Sequence, residues 1–177
     1  LVRIHQVSPH CDLPIDANER VAASIHFFQT RGRETWTAWM RRSGRYREII
    51  LPVLRQEGLP EDLLFLAMIE SGFNPRAYSR ARAVGLWQFM SATGKTEGLT
   101  IDHWVDERRD PVRSTKAAAT HLRGLYKRFG DWRLAAAAYN SGTGRVQRAI
   151  NKAGSRDFWE LDLPRETRNY VPLLMAA

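Results

Sequence analysis

The sequence predicts an all-α fold on three observations. Apolar residues recur near the 3.6-residue helical period from residue 19 onward, strand-like alternation is missing, and Gly and Pro punctuate the periodic blocks. The first block carries Val21, Ile25 and Phe28, the second Trp36, Trp39 and Met40, and the third Ile49, Ile50, Val53 and Leu54. Gly32, Gly44 and Gly58 stand where three helices would end. Pro60 beside the acidic pair Glu61 and Asp62 predicts the start of a fourth helix over 61–71, whose LLFLAMI run lacks a polar face and so belongs inside the domain. Further on, the pattern predicts a short helix around 85–92, an irregular stretch over 98–111, an Ala-rich helix over 114–129, helices over 132–139 and 145–152, and a last helix opening at 164–166. Residues 1–18, with Pro9, Pro14 and little periodicity, read as an N-terminal arm, and residues 19–177 as one globular helical domain.

Composition narrows the partners. Lys and Arg number 27 against 19 Asp and Glu, a net charge of +8 that favours anionic partners such as nucleic acid, anionic lipid or an acidic polysaccharide. With a mean hydropathy of −0.43 and no long apolar run, the chain has no transmembrane span. Cys11 is the single cysteine, so no intrachain disulfide forms. His5, His10, His26, His103 and His121 show no zinc-ligand spacing, so neither a metal nor another cofactor is expected. The opening at Leu1, with no initiator Met or signal-like segment, reads as a processed or trimmed chain.

Glu70 is the residue that physical chemistry singles out. Leu63, Leu66 and Ala67 lie seven, four and three residues before it, so a carboxyl shares the apolar face of the 61–71 helix. Desolvation and the negative end of the helix dipole both raise the pKa of a carboxyl placed there. An acid kept neutral near pH 7 can protonate a leaving group, the general-acid role in glycoside cleavage. A buried Glu paired with one of the arginines would occupy the same position, and helix position alone leaves both open.

Four ordered motifs surround that acid: AMIESGFNP at 67–75, AVGLWQFM at 83–90, AAYNSGTGRV at 137–146 and PRETRNYV at 164–171. With RSGRY at 42–46 and EGLPEDLLFLA at 57–67, they make the chain resemble the family 1 lytic transglycosylases of bacteria, the SLT-domain enzymes, and within them the membrane-bound D group. The resemblance runs from about Leu13 to the end. It implies a lysozyme-like fold of the goose type, with Glu70 as catalytic acid and base. It also implies a sugar cleft lined by Ser71, Gln88, Phe89, Tyr139 and Asn140 and closed by Glu166 and Tyr170. The implied partner is the peptidoglycan glycan strand, with no nucleic acid, and the implied setting is the bacterial envelope, periplasmic and monomeric, with anchoring through a segment upstream.

Each residue also has a reading of its own. Gln88 offers amide donors and an acceptor to an acetamido sugar, while Trp87 and Phe89 are either apolar flats in a cleft or plain core. Tyr139 ends a run of four alanines, where its phenol can reach a carboxyl or the substrate, or serve as a core Tyr with a buried partner. Asn140, before Ser141 and Gly142, reads as a helix cap first and a ligand second, and Glu166 suits a helix start on dipole grounds alone. Among the other acids, Asp106, Glu107 and Asp110 sit beside Arg108 and Arg109 and read as ion-paired, and Asp131 reads as a cap before Trp132. No second carboxylate stands out as nucleophile or base, which suggests assistance by the substrate's N-acetyl group. The resemblance implies its outcome, cleavage of the β-1,4 bond between N-acetylmuramic acid and N-acetylglucosamine with a 1,6-anhydro product. A goose-type muramidase that hydrolyses this bond and a non-catalytic binder of peptidoglycan or nucleic acid are the rival readings.

Overall fold

The computed structural model describes residues 12–177 and is all-α. Eight α-helices follow one another: α1 (Glu19–Gln29), α2 (Arg33–Gln56), α3 (Leu64–Ser71), α4 (Ser91–Thr96), α5 (Pro111–Phe129), α6 (Trp132–Ser141), α7 (Thr143–Ala153) and α8 (Arg165–Ala176). Single 3-10 turns at Glu61–Leu63, Glu107–Arg109 and Phe158–Glu160 join them. The described residues contain no strand, only isolated bridges of Val84 with Tyr78 and Phe89 and of Ile101 with Asp106. No helix among them is long and apolar enough to cross a membrane. Most of the proposed N-terminal arm, residues 1–11, lies outside the described residues.

Two expectations are corrected. Gly44 does not end a helix: α2 runs through both Gly44 and Pro52, so two long helices, not three, precede the 61–71 segment. A mid-helix Gly costs about 1 kcal/mol relative to Ala, but the buried stripe Ser43, Tyr46, Ile50 and Leu54 continues at helical spacing across it and holds the helix in one piece. Residues 85–92 do not form a helix either. Gly85 and Gln88 take φ of 85° and 49°, which a right-handed helix excludes, and α4 begins only at Ser91. Elsewhere the boundaries shift by a turn or less. The 61–71 helix opens as a 3-10 turn, and α5 starts at Pro111 because Asp110 Oδ1 accepts the N–H groups of Val112 and Arg113 at 2.8 and 2.9 Å.

The chain groups into two compact units: His26–His121 with Ala177, and the described residues up to Ile25 with Leu122–Ala176. In the first, α2 packs on α3, and Ile50, Leu54, Leu66, Met68, Phe73 and Leu86 are almost fully buried. In the second, α6 packs on α7 and α8. Ala135, Ala136, Ala137 and Ala138 are buried, and side chains this small let neighbouring helices approach closely. The start of the second unit is tied by charge: Arg133 forks onto Asp16 at 2.5 and 2.6 Å and also binds Asp131, while Trp159 Nε1 donates to Asp16 at 2.9 Å.

Asp131 is the cap of α6, accepting the N–H groups of Arg133 and Leu134 at 2.8 and 3.1 Å. Asp131→Ala removes both bonds and one of the two carboxylates on Arg133. Urea denaturation is expected to show a loss of about 1–2 kcal/mol with an unchanged m-value.

Candidate active site

Glu70 is the penultimate residue of α3 and is half-buried. Leu63, Leu66 and Ala67, the residues expected beneath it, are each at most 1% exposed, so the helix rises from a packed apolar floor. The helix stops because Gly72 turns left-handed, its N–H returning to Met68 O at 2.7 Å. A Cβ at Gly72 would overlap the indole edge of Trp39 on α2, so the end of α3 rests directly on that ring.

Ser71 joins this helix end to the GLWQF loop. Its hydroxyl donates to Leu86 O at 2.8 Å and lies 3.1 Å from Ala67 O, and it accepts the Asn74 N–H at 3.2 Å. The loop is closed on itself. Val84 and Phe89 exchange both backbone bonds, at 3.1 and 3.2 Å, and Gln88 Nε2 donates to Gly85 O at 2.9 Å and to Ala77 O at 3.4 Å. Trp87 is core: it is 0% exposed and its Nε1 donates to Thr115 Oγ1 at 3.0 Å. The Phe89 ring is 3% exposed and meets His121 edge-on.

Beneath the loop lies Arg108, 7% exposed. Its Nε and Nη2 grip both oxygens of Asp106 at 2.8 Å, and its Nη1 donates to Phe89 O at 3.1 Å and Arg82 O at 3.2 Å. The contact is close enough that a Cβ at Gly85 would fall on the carbonyl oxygen of Arg108. The Asp106 carboxyl is held below the usual carboxylate range, chiefly by its bonds to Arg108. Glu107 binds Arg113 at 2.5 Å. Asp106 and Glu107 are thus ion-paired as the sequence indicates, whereas Asp110 serves as the α5 cap.

The remaining candidates lie in the other unit. Tyr139 is half-buried near the end of α6. Asn140 bridges two helices: its Oδ1 accepts from Thr167 Oγ1 at 2.8 Å and its Nδ2 donates to Glu166 Oε1 at 3.3 Å, both on α8. One turn further along α8, Tyr170 is buried.

The family model of the transglycosylase SLT domain matches residues 49–161, from mid-α2 to the turn after α7. The chain belongs to this family. It is 46% identical over 140 residues to membrane-bound lytic murein transglycosylase D of Escherichia coli K12, a match that covers 76% of this chain and 31% of that protein. It is 34% identical over 120 residues to the soluble lytic murein transglycosylase of the same strain, covering 63% of this chain and 19% of the relative. The chain thus spans about a third or less of the relatives named here. Among solved structures, the 70-kDa soluble lytic transglycosylase of Escherichia coli superposes with a TM-score of 0.64 over 91% of this chain and 30% of its own, at 23% identity. An inactive mutant of lytic transglycosylase Slt from Pseudomonas aeruginosa gives 0.63 over 74% of this chain and 23% of its own, at 26% identity. The lysozyme-like all-α fold is therefore shared with them.

In this SLT domain the match takes in Glu70, Ser71, the GLWQF loop, Tyr139 and Asn140, while Glu166 and Tyr170 lie beyond its last residue. The role of Arg108 as the strut of the loop has no signal in the sequence. Its neighbours Asp106 and Glu107 predict an ion pair, and nothing in the spacing shows that the same guanidinium reaches carbonyls 19 and 26 residues away.

The Asp106–Arg108 pair carries a pH signature. A carboxyl whose folded pKa is lowered contributes fully above its unfolded value of ~3.9, and that contribution is lost as the pH falls through the lower folded value. Asp106→Asn, which leaves the Arg108 charge short of its partner, is expected to cost roughly 2 kcal/mol at pH 7. Denaturation midpoints of wild type and variant should converge under acid conditions below the ordinary Asp range.

Proposed function

We propose that this SLT domain cleaves the β-1,4 bond between N-acetylmuramic acid and N-acetylglucosamine in peptidoglycan without water, with Glu70 serving as acid and then as base. The observation that carries this reading is the placing of Glu70: a half-buried carboxyl at the end of an apolar helix, next to a serine bonded to the backbone of the GLWQF loop. A carboxyl with an apolar floor on one side keeps its proton more readily than one in water, as a general acid requires.

In the proposed sequence, Glu70 donates its proton to the glycosidic oxygen as the bond to the anomeric carbon breaks. The oxygen of the substrate's own N-acetyl group stabilises the positive charge on that carbon. The Glu70 carboxylate then takes the proton of the C6 hydroxyl as the C6 oxygen bonds to the anomeric carbon, closing the 1,6-anhydro ring and restoring the acid. No water is consumed. The commitment of Asp106 and Glu107 to arginines and of Asp110 to the α5 cap supports a route without a second carboxylate from that loop. Ser71 and Gln88 act through the loop, Ser71 by tying it to α3 and Gln88 by turning it at a φ of 49°. Tyr139, Asn140 and Glu166 are proposed as sugar-contacting residues, as the resemblance implies, while Phe89 and Tyr170, both buried, are proposed to support their own loop and helix from within. The setting proposed is the bacterial envelope, where the domain acts as a monomer on glycan strands in the periplasm.

Glu70→Gln keeps the shape of the side chain but has no proton to transfer. It is expected to fold with an undiminished melting temperature and to lose ~10²-fold or more of the cleavage rate on purified peptidoglycan. Retention of a tenth of the rate, or a large fall in melting temperature, would return Glu70 to a structural role. The wild-type products should be isomeric with an uncut repeat and unchanged in mass after borohydride. Reducible muramic ends would instead mark hydrolysis.

A further inference from the structure

Behind the end of α3, in the unit that holds Glu70, lies a cavity of about 630 Å³ whose walls carry Arg41, Arg42 and Arg45 of α2 and Arg76 of the following loop. None of these four forms an ion pair among the described residues, whereas Arg55, Arg108, Arg113 and Arg133 each hold a carboxylate. The pairing at 41 and 45 puts like charges one helical turn apart, an arrangement that weakens a helix unless something anionic lies between them. The cavity wall is donor-rich in other ways. Asn74 and Tyr46 line it as well, and Asn74 spends its Oδ1 on the Arg76 N–H at 2.9 Å, which leaves only the NH₂ of its amide for a ligand. A cluster of guanidiniums without a carboxylate on the wall selects an anion, and the planar fork of Arg suits carboxylates taken two oxygens at a time.

We infer that this cavity binds the carboxylates of a short acidic peptide, the stem carried by peptidoglycan strands. The identity of the peptide rests on the function proposed above, while the preference for an anion rests on the arginines themselves. Two features favour a peptide over a nucleic acid. The cavity is a half-open hollow of about 630 Å³, room for a few peptide residues, and Phe73, Asn74 and Pro75 on its wall follow Glu70 by three to five residues. The Arg42 guanidinium lies against the end of the Glu70 helix: a Cβ at Gly72 would lie 3.0 Å from its Nη2. A stem seated here would hold the strand close to the acid that cuts it.

The test titrates the domain, by NMR or calorimetry, with the N-acetylated tripeptide Ac-Ala-γ-Glu-Ala, which carries two carboxylates and no cation, its neutral bis-amide, inorganic phosphate and a single-stranded oligonucleotide. The free tripeptide is expected to bind about tenfold or more tighter than the bis-amide or phosphate, and the double variant Arg41→Gln/Arg45→Gln is expected to weaken it by a similar factor at an unchanged melting temperature. Restoring charge with Lys at both positions should recover part of the affinity. Equal affinity for the bis-amide, no binding of the tripeptide, a double variant that binds like wild type, or tighter binding of phosphate or oligonucleotide would each overturn the inference. In a second arm, the ratio of kcat/KM on stem-bearing strands to kcat/KM on strands stripped of peptide by an amidase should fall about tenfold in the double variant, and an unchanged ratio would also overturn it. If the wild type cleaves neither substrate, the cleavage reading fails and the tripeptide titration still decides the site.

Discussion

The loop beside Glu70 depends on one buried cation. Arg108 is nearly out of solvent, and an uncompensated charge at such depth costs several kcal/mol. It is compensated on two sides, by both oxygens of Asp106 and by the main-chain oxygens of Arg82 and Phe89. One of those oxygens lies three residues before the GLWQF loop and the other on its last residue, so the loop cannot open without stripping the guanidinium of bonds. Lysine could not replace it, because one ammonium lacks the spread of donors that spans a carboxylate and two separate carbonyls.

Each unit uses the same device at the end of a helix. In one, Ser71 closes α3 and reaches Leu86 of the neighbouring loop; in the other, Asn140 near the end of α6 reaches Thr167 and Glu166 of α8. Short side chains at these positions reach a distant segment from a helix end, and in doing so fix the attitude of the residue just before them. In both cases that residue is a candidate site residue, Glu70 and Tyr139. Apolar packing brings the elements together, by α3 on α2 and by the alanines of α6, and the polar link then fixes their register.

Much of this was legible in the sequence, and the reason lies in periodicity. The helices, the apolar floor under Glu70 and the cap at Asp131 all follow from patterns within a few turns of chain. Gly44 misled because a glycine signals a break only where the buried stripe also stops, and the stripe does not stop there. The 85–92 segment misled for the opposite reason. Its apolar Leu86, Trp87 and Phe89 resemble a helix face, yet the positive φ at Gln88 is sustained by an amide bonded to Gly85 O and Ala77 O, a tertiary arrangement with no local trace. Asn140 reads as a cap from its neighbours, and its place as a bridge to α8 depends on residues 26 and 27 positions away.

The seat of Gly72 on Trp39 has a consequence for how α2 can vary. The indole that meets the end of α3 and the arginines of the cavity lie on one uninterrupted helix, Trp39 first and Arg41, Arg42 and Arg45 within the next two turns. An α-helix advances about 100° and 1.5 Å per residue. Inserting or deleting a single residue between 39 and 41 would therefore swing the guanidiniums a quarter-turn or more away while leaving the indole in place. This stretch of α2 works as a ruler, in which the spacing between the indole and the guanidiniums matters as much as the side chains themselves.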